Sequence, residues 1–470
     1  MSKAVRVRFA PSPTGFLHIG GVRTALFNYL FAKANNGDFV LRLEDTDRER
    51  FVEEGVEQII QSLDWLGLHP DEGVWYEDKP GAHGPYIQSE RLHHYADYAN
   101  KLVEQGLAYK SYASAEQLES LREEARQNKQ PFVYRNSMEP ASGSGDAPIR
   151  LKIPSGKTLW KDEVRGEFAT PNELIDDYII IKADGFPTYN FANVIDDHMM
   201  QISHVIRGDE FISSTAKHAL LYDMLGFDRP AWVHLPPILG PDGKKKLSKR
   251  DGDVNVLDYK AKGYLPAAVI NFLALLGWND GSTQEIFSLE DLLGKFDLSR
   301  VQKSPAVFDI NRLDWMNGEY IRTQLSDDQL IEQLRSFVPA AWLTDMEYFK
   351  RVMNLDRERI KRFDEAKYMM EIFFEAPEVD KDLLTQKNDQ DSVRLWLNST
   401  VEELAKIEFS HDEIERSLRG LSNNLAVSAG NLFFVLRVAL TGRTQAPGLF
   451  DIFATLGKEE SIVRLKAALQ

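Results

Sequence analysis

Arg8-Phe-Ala-Pro-Ser-Pro-Thr-Gly-Phe-Leu-His-Ile-Gly-Gly-Val-Arg23 decides how this chain is read. Val5, Val7 and Phe9 alternate with Arg6, Arg8 and Ala10, the period of two of a short β-strand. Pro11, Pro13 and Gly15 then break regular structure. After Gly20-Gly21 the period changes, and Val22, Ala25, Leu26, Tyr29 and Leu30 fall on one face of a helix. Strand, tight turn and helix in that order form the first unit of a nucleotide-binding α/β sheet. The turn presents His18, two glycines and a helix N-terminus. Glycine lets a ligand approach the backbone closely, and a helix N-terminus favours anions. A strand-to-helix turn with an incidental histidine shares those features, and on them alone both readings stand.

Working outward, residues 39–43 alternate apolar and polar and are expected to pair with the first strand. They end in Glu44-Asp45-Thr46-Asp47, carboxylates at the end of a strand where open α/β sheets bind ligands. Asp47 equally suits the N-cap of a helix over 49–66, closed at Gly67. A helix over 88–105 carries His93 and His94. Adjacent helical side chains diverge, so these read as surface or core residues rather than metal ligands. From 107 to about 180 the texture changes: a charged helix over 115–128, a Pro, Ser and Gly-rich stretch through Pro148, then β-like runs at 149–153 and 158–164. This reads as an insertion between two halves of a sheet. Residues 177–182 read as a buried strand returning to that sheet, and a strand at 202–206 ends in Arg207-Gly208-Asp209-Glu210. A helix over 213–225 opens with Ser213-Ser214-Thr215, which is capping chemistry. The run Lys244-Lys245-Lys246-Leu247-Ser248-Lys249-Arg250 would by itself be a solvated loop. A helix over 267–276 stops at Gly277, and beyond about Phe308 the pattern is almost wholly helical, as at 327–337, 352–362 and 461–469.

Phe9-Ala-Pro-Ser-Pro-Thr-Gly-Phe-Leu-His-Ile-Gly-Gly21 closely resembles the first signature of bacterial glutamyl-tRNA synthetases, which are class I aminoacyl-tRNA synthetases. Gly21 stands where the general class I signature, His-Ile-Gly-His, has its second histidine, a variation the glutamyl branch tolerates. Lys246-Leu247-Ser248-Lys249-Arg250 matches the second class signature, Lys-Met-Ser-Lys-Ser, in its glutamyl form. The two signatures come in the right order, one in each half of the sheet. Leu41-Arg-Leu-Glu-Asp-Thr-Asp-Arg48, Tyr189-x-x-Ala192-Asn193 and Val205-Ile-Arg-Gly-Asp-Glu210 also resemble the family.

The resemblance implies roles. Arg8 would hold a substrate carboxylate and Glu44 the substrate amino group. Ala10, Ser12, Tyr189 and Asn193 would line the glutamate pocket, and Arg207 would fork onto the side-chain carboxylate. Pro11, Ser12, Gly20, Gly21, Lys246, Leu247, Ser248, Lys249 and Arg250 would hold ATP, with Glu210 near the ribose or the pocket floor. His18, Lys246 and Lys249 would serve catalysis. The implied fold is a Rossmann-like α/β catalytic domain with an α+β insertion, followed by an all-α C-terminal region. Its expected segments are 1–106 and 181–250 for the catalytic halves, 107–180 for an insertion clasping the tRNA acceptor end, 251–322 for stem contact and 323–470 for anticodon reading. Leu440-Thr441-Gly442-Arg443 resembles the end pattern of that last region. The basic stretch Arg357 to Arg362 fits a phosphate contact or a solvated helix face. Some members hold zinc in the insertion through cysteines after an Ala-Tyr segment. Here the segment is Ala108-Tyr109-Lys110-Ser111-Tyr112-Ala113, without thiolates, so no zinc is expected.

The activity implied is ATP- and Mg2+-dependent attachment of L-glutamate to the 3′ end of tRNA(Glu) through a glutamyl-adenylate. A glutaminyl enzyme of the same class would be expected to carry β-barrels in its anticodon region. A paralogue glutamylating a modified tRNA base would lack the C-terminal third. A non-enzymatic binding module would have no use for His18, Lys246, Lys249 and the arginines together.

The totals agree. At 470 residues, with 43% hydrophobic and 27% charged, the chain has the composition of about three globular domains. The net charge of −16 argues against non-specific DNA coating, which needs a broad basic face. The absence of cysteine excludes disulfides, thiolate metal sites and cysteine nucleophiles. With no apolar run of ~18 residues and no signal-like h-region after Met-Ser-Lys-Ala-Val-Arg, the expectation is a cytoplasmic protein without membrane contact, monomeric as the family implies.

Overall fold

The stretch around His18 folds as strand β1 (Arg6–Phe9), a turn, and helix α1 (Ile19–Ala34). The computed structural model describes residues 4–76, 81–129, 132–137, 146–247 and 255–469. The chain divides into two units, Met1–Lys260 with Pro266–Ile310 and Ala261–Leu265 with Asn311–Gln470.

In the first unit β1 pairs in parallel with β2 (Asp38–Leu41), Arg6 facing Asp38 and Phe9 facing Leu41. Helix α2 (Glu53–Trp65) follows, and β3 (Glu72–Gly73) extends the sheet beside β2. The expected cap of α2 is corrected: it starts at Val52 without a side-chain cap, and Asp47 instead accepts from Arg50 at 2.7 Å. All four residues of β1 are buried despite their alternation, because Arg6 and Arg8 point into charged partners rather than solvent.

Helix α3 (Leu92–Glu104) leads to β4 (Ala108–Lys110), α4 (Ala115–Gln127) and α5 (Tyr134–Ser137). Then come β5 (Ile149–Leu151), β6 (Lys157–Asp162), β7 (Gly166–Pro171) and β8 (Ile179–Ile181). These strands part company. β4, β5 and β8 form an antiparallel sheet of their own. β6 and β7 form a hairpin that joins a sheet ordered β7-β6-β10-β9, with β9 (His204–Gly208) and β10 (Ala231–Leu235) parallel. The strand expected to return to the main sheet, β8, therefore does not do so, and one expected in the insertion, β6, does. β8 pairs with β5, Ile181 facing Ile149, and the hairpin strand β6 with β10, Asp162 facing Trp232, long-range pairings that local alternation does not encode.

The helix α6 (Tyr189–Met199) precedes β9, and α7 (Ile212–Leu225) follows it. α7 begins after Phe211 without a side-chain cap, and its Thr215 is used elsewhere. Ser203 donates its amide to the Arg6 carbonyl at 2.9 Å and accepts the Arg6 amide at 2.8 Å, which seats β9 beside β1. Tyr95, Phe191, Val194, Ile195 and Trp232 lie in the core beneath. The short α8 (Val256–Ala261), then α9 (Pro266–Leu275) and α10 (Leu289–Lys295), complete the helices of this unit, and α9 and α10 pack on α1.

In the second unit every described element from α11 (Ile310–Thr323) to α19 (Leu449–Ala467) is helical. Ser326 and Asp345 cap their helices through side-chain oxygens. Arg464, nearly buried, donates to the carbonyls of Ile372, Leu440 and Glu375 and so ties three segments together.

Candidate active site

The carboxyl ends of β1, β9 and β10 and the N-terminus of α1 open on a cavity of about 1020 Å³. Ligands of open α/β sheets bind at this end of the strands. Its wall brings together Arg8, Ala10, Pro11, Ser12, His18, Gly20, Gly21, Glu44, Tyr189, Asn193, Arg207, Glu210 and Lys246. Leu247 is described but is not part of the wall. Ser248, Lys249 and Arg250 lie outside the described residues.

His18 is the N-cap of α1, its Nδ1 accepting the Gly21 amide at 3.2 Å. An accepting Nδ1 places the ring proton of the neutral imidazole on Nε2. Partial desolvation at the cavity wall, with Lys246 nearby, holds His18 below its usual titration range, which favours the neutral ring. The glycines serve this ring: a Cβ on Gly20 would stand 3.1 Å from the imidazole, and one on Gly21 2.9 Å from the Leu17 side chain. Lys246 lies 3.6 Å from the exposed carboxylate of Glu210. Arg23, on the same wall, is buried and donates to the carbonyls of Leu276 and Pro236, and burial lowers its pKa to about 10.

Arg8, Glu44 and Asn193 on the wall belong to a buried ionic network. Arg8 donates to both oxygens of Asp197, at 3.0 and 3.3 Å. Arg42 donates to Asp197 at 2.7 Å and to Glu44 at 3.0 Å, and Asn193 adds an amide donor to Glu44 at 3.1 Å. Burial opposes the charge on Asp197, yet Arg8 and Arg42 overcome it and hold its carboxyl below the usual range. Glu44, with less compensation, is raised by burial. Next to it Asp196 accepts from Gln88 at 2.8 Å, Arg91 at 2.7 Å and Tyr95 at 3.0 Å.

Arg207 differs from these arginines. It is 4% exposed, at the end of β9, and among the described residues its hydrogen-bond partners are neutral. It donates from Nη1 to Tyr189 Oη at 3.1 Å, from Nη2 to Thr215 Oγ1 at 2.8 Å and from Nε to His234 Nε2 at 3.1 Å. His218 Nδ1 lies 3.3 Å from Nη1. Burial pushes both histidines below their usual range, His218 strongly. A guanidinium so placed keeps its full charge while losing water, and a carboxylate entering the cavity would supply what the protein withholds.

Residues 4–315 match the family described as tRNA synthetases class I (E and Q), catalytic domain, and residues 329–469 match an anticodon binding domain. The glutamate–tRNA ligase of Dehalococcoides mccartyi strain ATCC BAA-2266 is 44% identical, the alignment covering 100% of this chain and 98% of the relative. That of Clostridium acetobutylicum is 42% identical over 99% and 98%. This chain belongs to the class I glutamate–tRNA ligase family. The crystal structure of a family member from Elizabethkingia meningosepticum, in complex with its amino acid, has a TM-score of 0.89 at 35% identity, covering 99% of each chain. The Elizabethkingia anophelis glutamate-tRNA synthetase superposes with a TM-score of 0.86 at 34% identity, over 99% of this chain and 100% of that one.

Family membership accounts for the two signatures, the Rossmann-like catalytic part and the helical anticodon part. The second tier was not read from the sequence: Asp197, Thr215, His218, His234 and Asp162. Asp196-Asp197 did carry a signal, an acidic pair among the buried Phe191, Ala192, Val194 and Ile195. Asp162 carried none, being one aspartate in a short hairpin strand.

Where some family members place zinc, Ser111 Oγ lies 2.6 Å from Tyr134 Oη, and Tyr109 donates to Asp177 at 3.0 Å. Among the described residues no three His, Asp or Glu side chains converge as a metal site. No described helix is long and apolar enough to cross a membrane.

Proposed function

We propose that this protein attaches L-glutamate to the 3′ end of tRNA(Glu), forming a glutamyl-adenylate from glutamate and ATP and then transferring the glutamyl group. Membership of the glutamate–tRNA ligase family supports the reaction, and one geometric observation carries the choice of amino acid. The buried guanidinium of Arg207 has only neutral hydrogen-bond partners among the described residues and lines the cavity that His18 and Lys246 also line. A side-chain carboxylate would pair with Arg207, whereas an amide would leave its charge unmet.

In this reading the α-carboxylate of glutamate attacks the α-phosphorus of ATP and pyrophosphate leaves. The attacking group is already a nucleophile, so no covalent enzyme intermediate is formed. The protein's work is positioning and fixed positive charge. His18 donates from Nε2 toward phosphate oxygen, the first amides of α1 add their N–H groups, and Lys246 and Lys249 add charge. ATP enters as its magnesium complex, whose ion neutralises part of the triphosphate charge. Tyr189 and Asn193 line the amino-acid pocket, Glu44 receives the substrate amino group, and Arg8 faces its α-carboxylate while anchored on Asp197. Residues 107–180 hold the acceptor end and the helical region from 323 reads the anticodon. The protein works as a cytoplasmic monomer without zinc.

Aminoacylation of purified tRNA(Glu) and tRNA(Gln), with ATP–pyrophosphate exchange measured with and without tRNA, tests this reading. Charging of tRNA(Glu) with glutamate is expected. Charging with glutamine, or glutamate transfer to a base inside the tRNA, would replace it with one of the rival activities.

A further inference from the structure

The partners of Arg207 have their own protons fixed from behind. Asp162, at the end of β6, is fully buried. Its Oδ2 accepts the His234 amide at 3.0 Å and lies 2.6 Å from His234 Nδ1. Its Oδ1 accepts the amides of Val164 at 2.9 Å and Arg165 at 2.6 Å. A carboxylate only accepts, so the imidazole proton sits on Nδ1 and Nε2 keeps a lone pair. That lone pair is what Arg207 Nε–H meets at 3.1 Å. Guanidinium has N–H donors and no acceptor. The other tautomer would therefore set one N–H against another in a buried site. His218 repeats the device: Asn190 Oδ1 lies 3.0 Å from its Nε2, which leaves Nδ1 to face Arg207.

We propose that Asp162 is a positioning residue for glutamate selectivity, acting on Arg207 through the tautomer of His234. The inference rests on the functional reading above. Its physical sense lies in the spacer. An aspartate touching Arg207 would orient it but also neutralise it, and would compete with the substrate carboxylate. A neutral imidazole between them passes on orientation and leaves the charge for the ligand. The competing explanation is that Asp162 merely closes the turn between β6 and β7 through the Val164 and Arg165 amides.

Asp162→Asn separates the two. With its oxygen on the two turn amides, its NH2 group takes the place of Oδ2, so the His234 amide loses its acceptor and Nδ1 meets a donor that drives the ring proton to Nε2, against Arg207. In tRNA(Glu) charging by the full-length protein, the KM for glutamate is expected to rise about tenfold or more, the scale of a lost hydrogen bond to a charged group. The KM for ATP should stay within about twofold and the preference for glutamate over glutamine should fall. In a His234→Gln background the amide oxygen of glutamine accepts from Arg207 without needing a tautomer. There Asp162→Asn still removes the acceptor of the residue-234 amide but changes no tautomer, and its effect on the glutamate KM is expected to be several-fold smaller than in the wild-type background. An equal effect in both backgrounds would assign Asp162 to the turn and overturn the inference. Should Asp162→Asn not fold, nitrogen-15 NMR of histidine-labelled wild type decides, with His234 identified by its loss in His234→Gln. A proton on Nδ1 supports the relay, and one on Nε2 removes it. A wild type that charges no glutamate refutes the functional reading instead, while the tautomer is still measured.

Discussion

Arg207 illustrates how one residue's identity depends on what surrounds it. Arginines 8 and 42 are equally buried but spend their charge on Asp197 and Glu44, whereas Arg207 donates to Tyr189, Thr215 and His234. Arg207→Gln is expected to lower kcat/KM for glutamate by about 10²-fold or more, with the KM for ATP little changed, because the pocket loses its charge but not its shape. Steady-state charging with glutamate and glutamine checks it, and an unaltered preference would remove Arg207 from the pocket. The flanking histidines give a pH signature. Burial, followed for His218 by the nearby Arg207, puts its folded pKa well below the ~6.5 of the unfolded chain. On acidification below about pH 6.5 the unfolded state takes up the proton first, so stability falls as pH falls. His218→Gln is expected to make that decline shallower, by up to about 1.4 kcal/mol per pH unit. Unfolding midpoints of both proteins across pH 5 to 8 measure the difference.

At the scale of elements, α1 joins local sequence to chemistry. His18 caps the helix through Nδ1 and lines the cavity, and Nε2 takes no part in the cap, so one ring has two separable jobs. Asparagine is as good an N-cap as any residue but has no imidazole. His18→Asn is therefore expected to keep the unfolding free energy within about 0.5 kcal/mol, whereas His18→Ala loses about 1 kcal/mol. Both should lose about 10²-fold or more in kcat. Chemical denaturation alongside single-turnover activation separates stability from catalysis. Elements of this kind were legible. The strand, turn and helix of residues 6–34, the pairing with residues 38–41 and the helical run past 308 follow from periodicity and turn residues, which act over a few positions. Caps were less legible. Asp47 and the Ser213–Thr215 run suited capping by residue type, but Asp47 pairs with Arg50 three residues on, and Thr215 donates to the Phe211 carbonyl while accepting from Arg207, since residue type alone does not choose among the groups a side-chain oxygen can meet.

At the scale of the whole chain, charges far apart in sequence are brought into one buried network. Asp197 meets Arg8 across 189 positions and Arg42 across 155. Asp197→Ala leaves two buried guanidinium groups without their shared anion and is expected to cost about 3–5 kcal/mol. The urea midpoint of the catalytic region measures it, and a loss below about 1 kcal/mol would show that water or relaxation replaces the ion pairs. The sequence by itself determined the α/β beginning, the two signatures in order and the helical end, since each is written in short-range spacing or in residue type. Tertiary structure alone decided that β6 joins β10 while β8 pairs with β5 instead, that Asp162 stands behind His234, and that Arg207 has no anion of its own among its hydrogen-bond partners in the described residues. Those outcomes depend on burial and on contacts spanning many tens of residues, and burial is what turns a common arginine into a selective one.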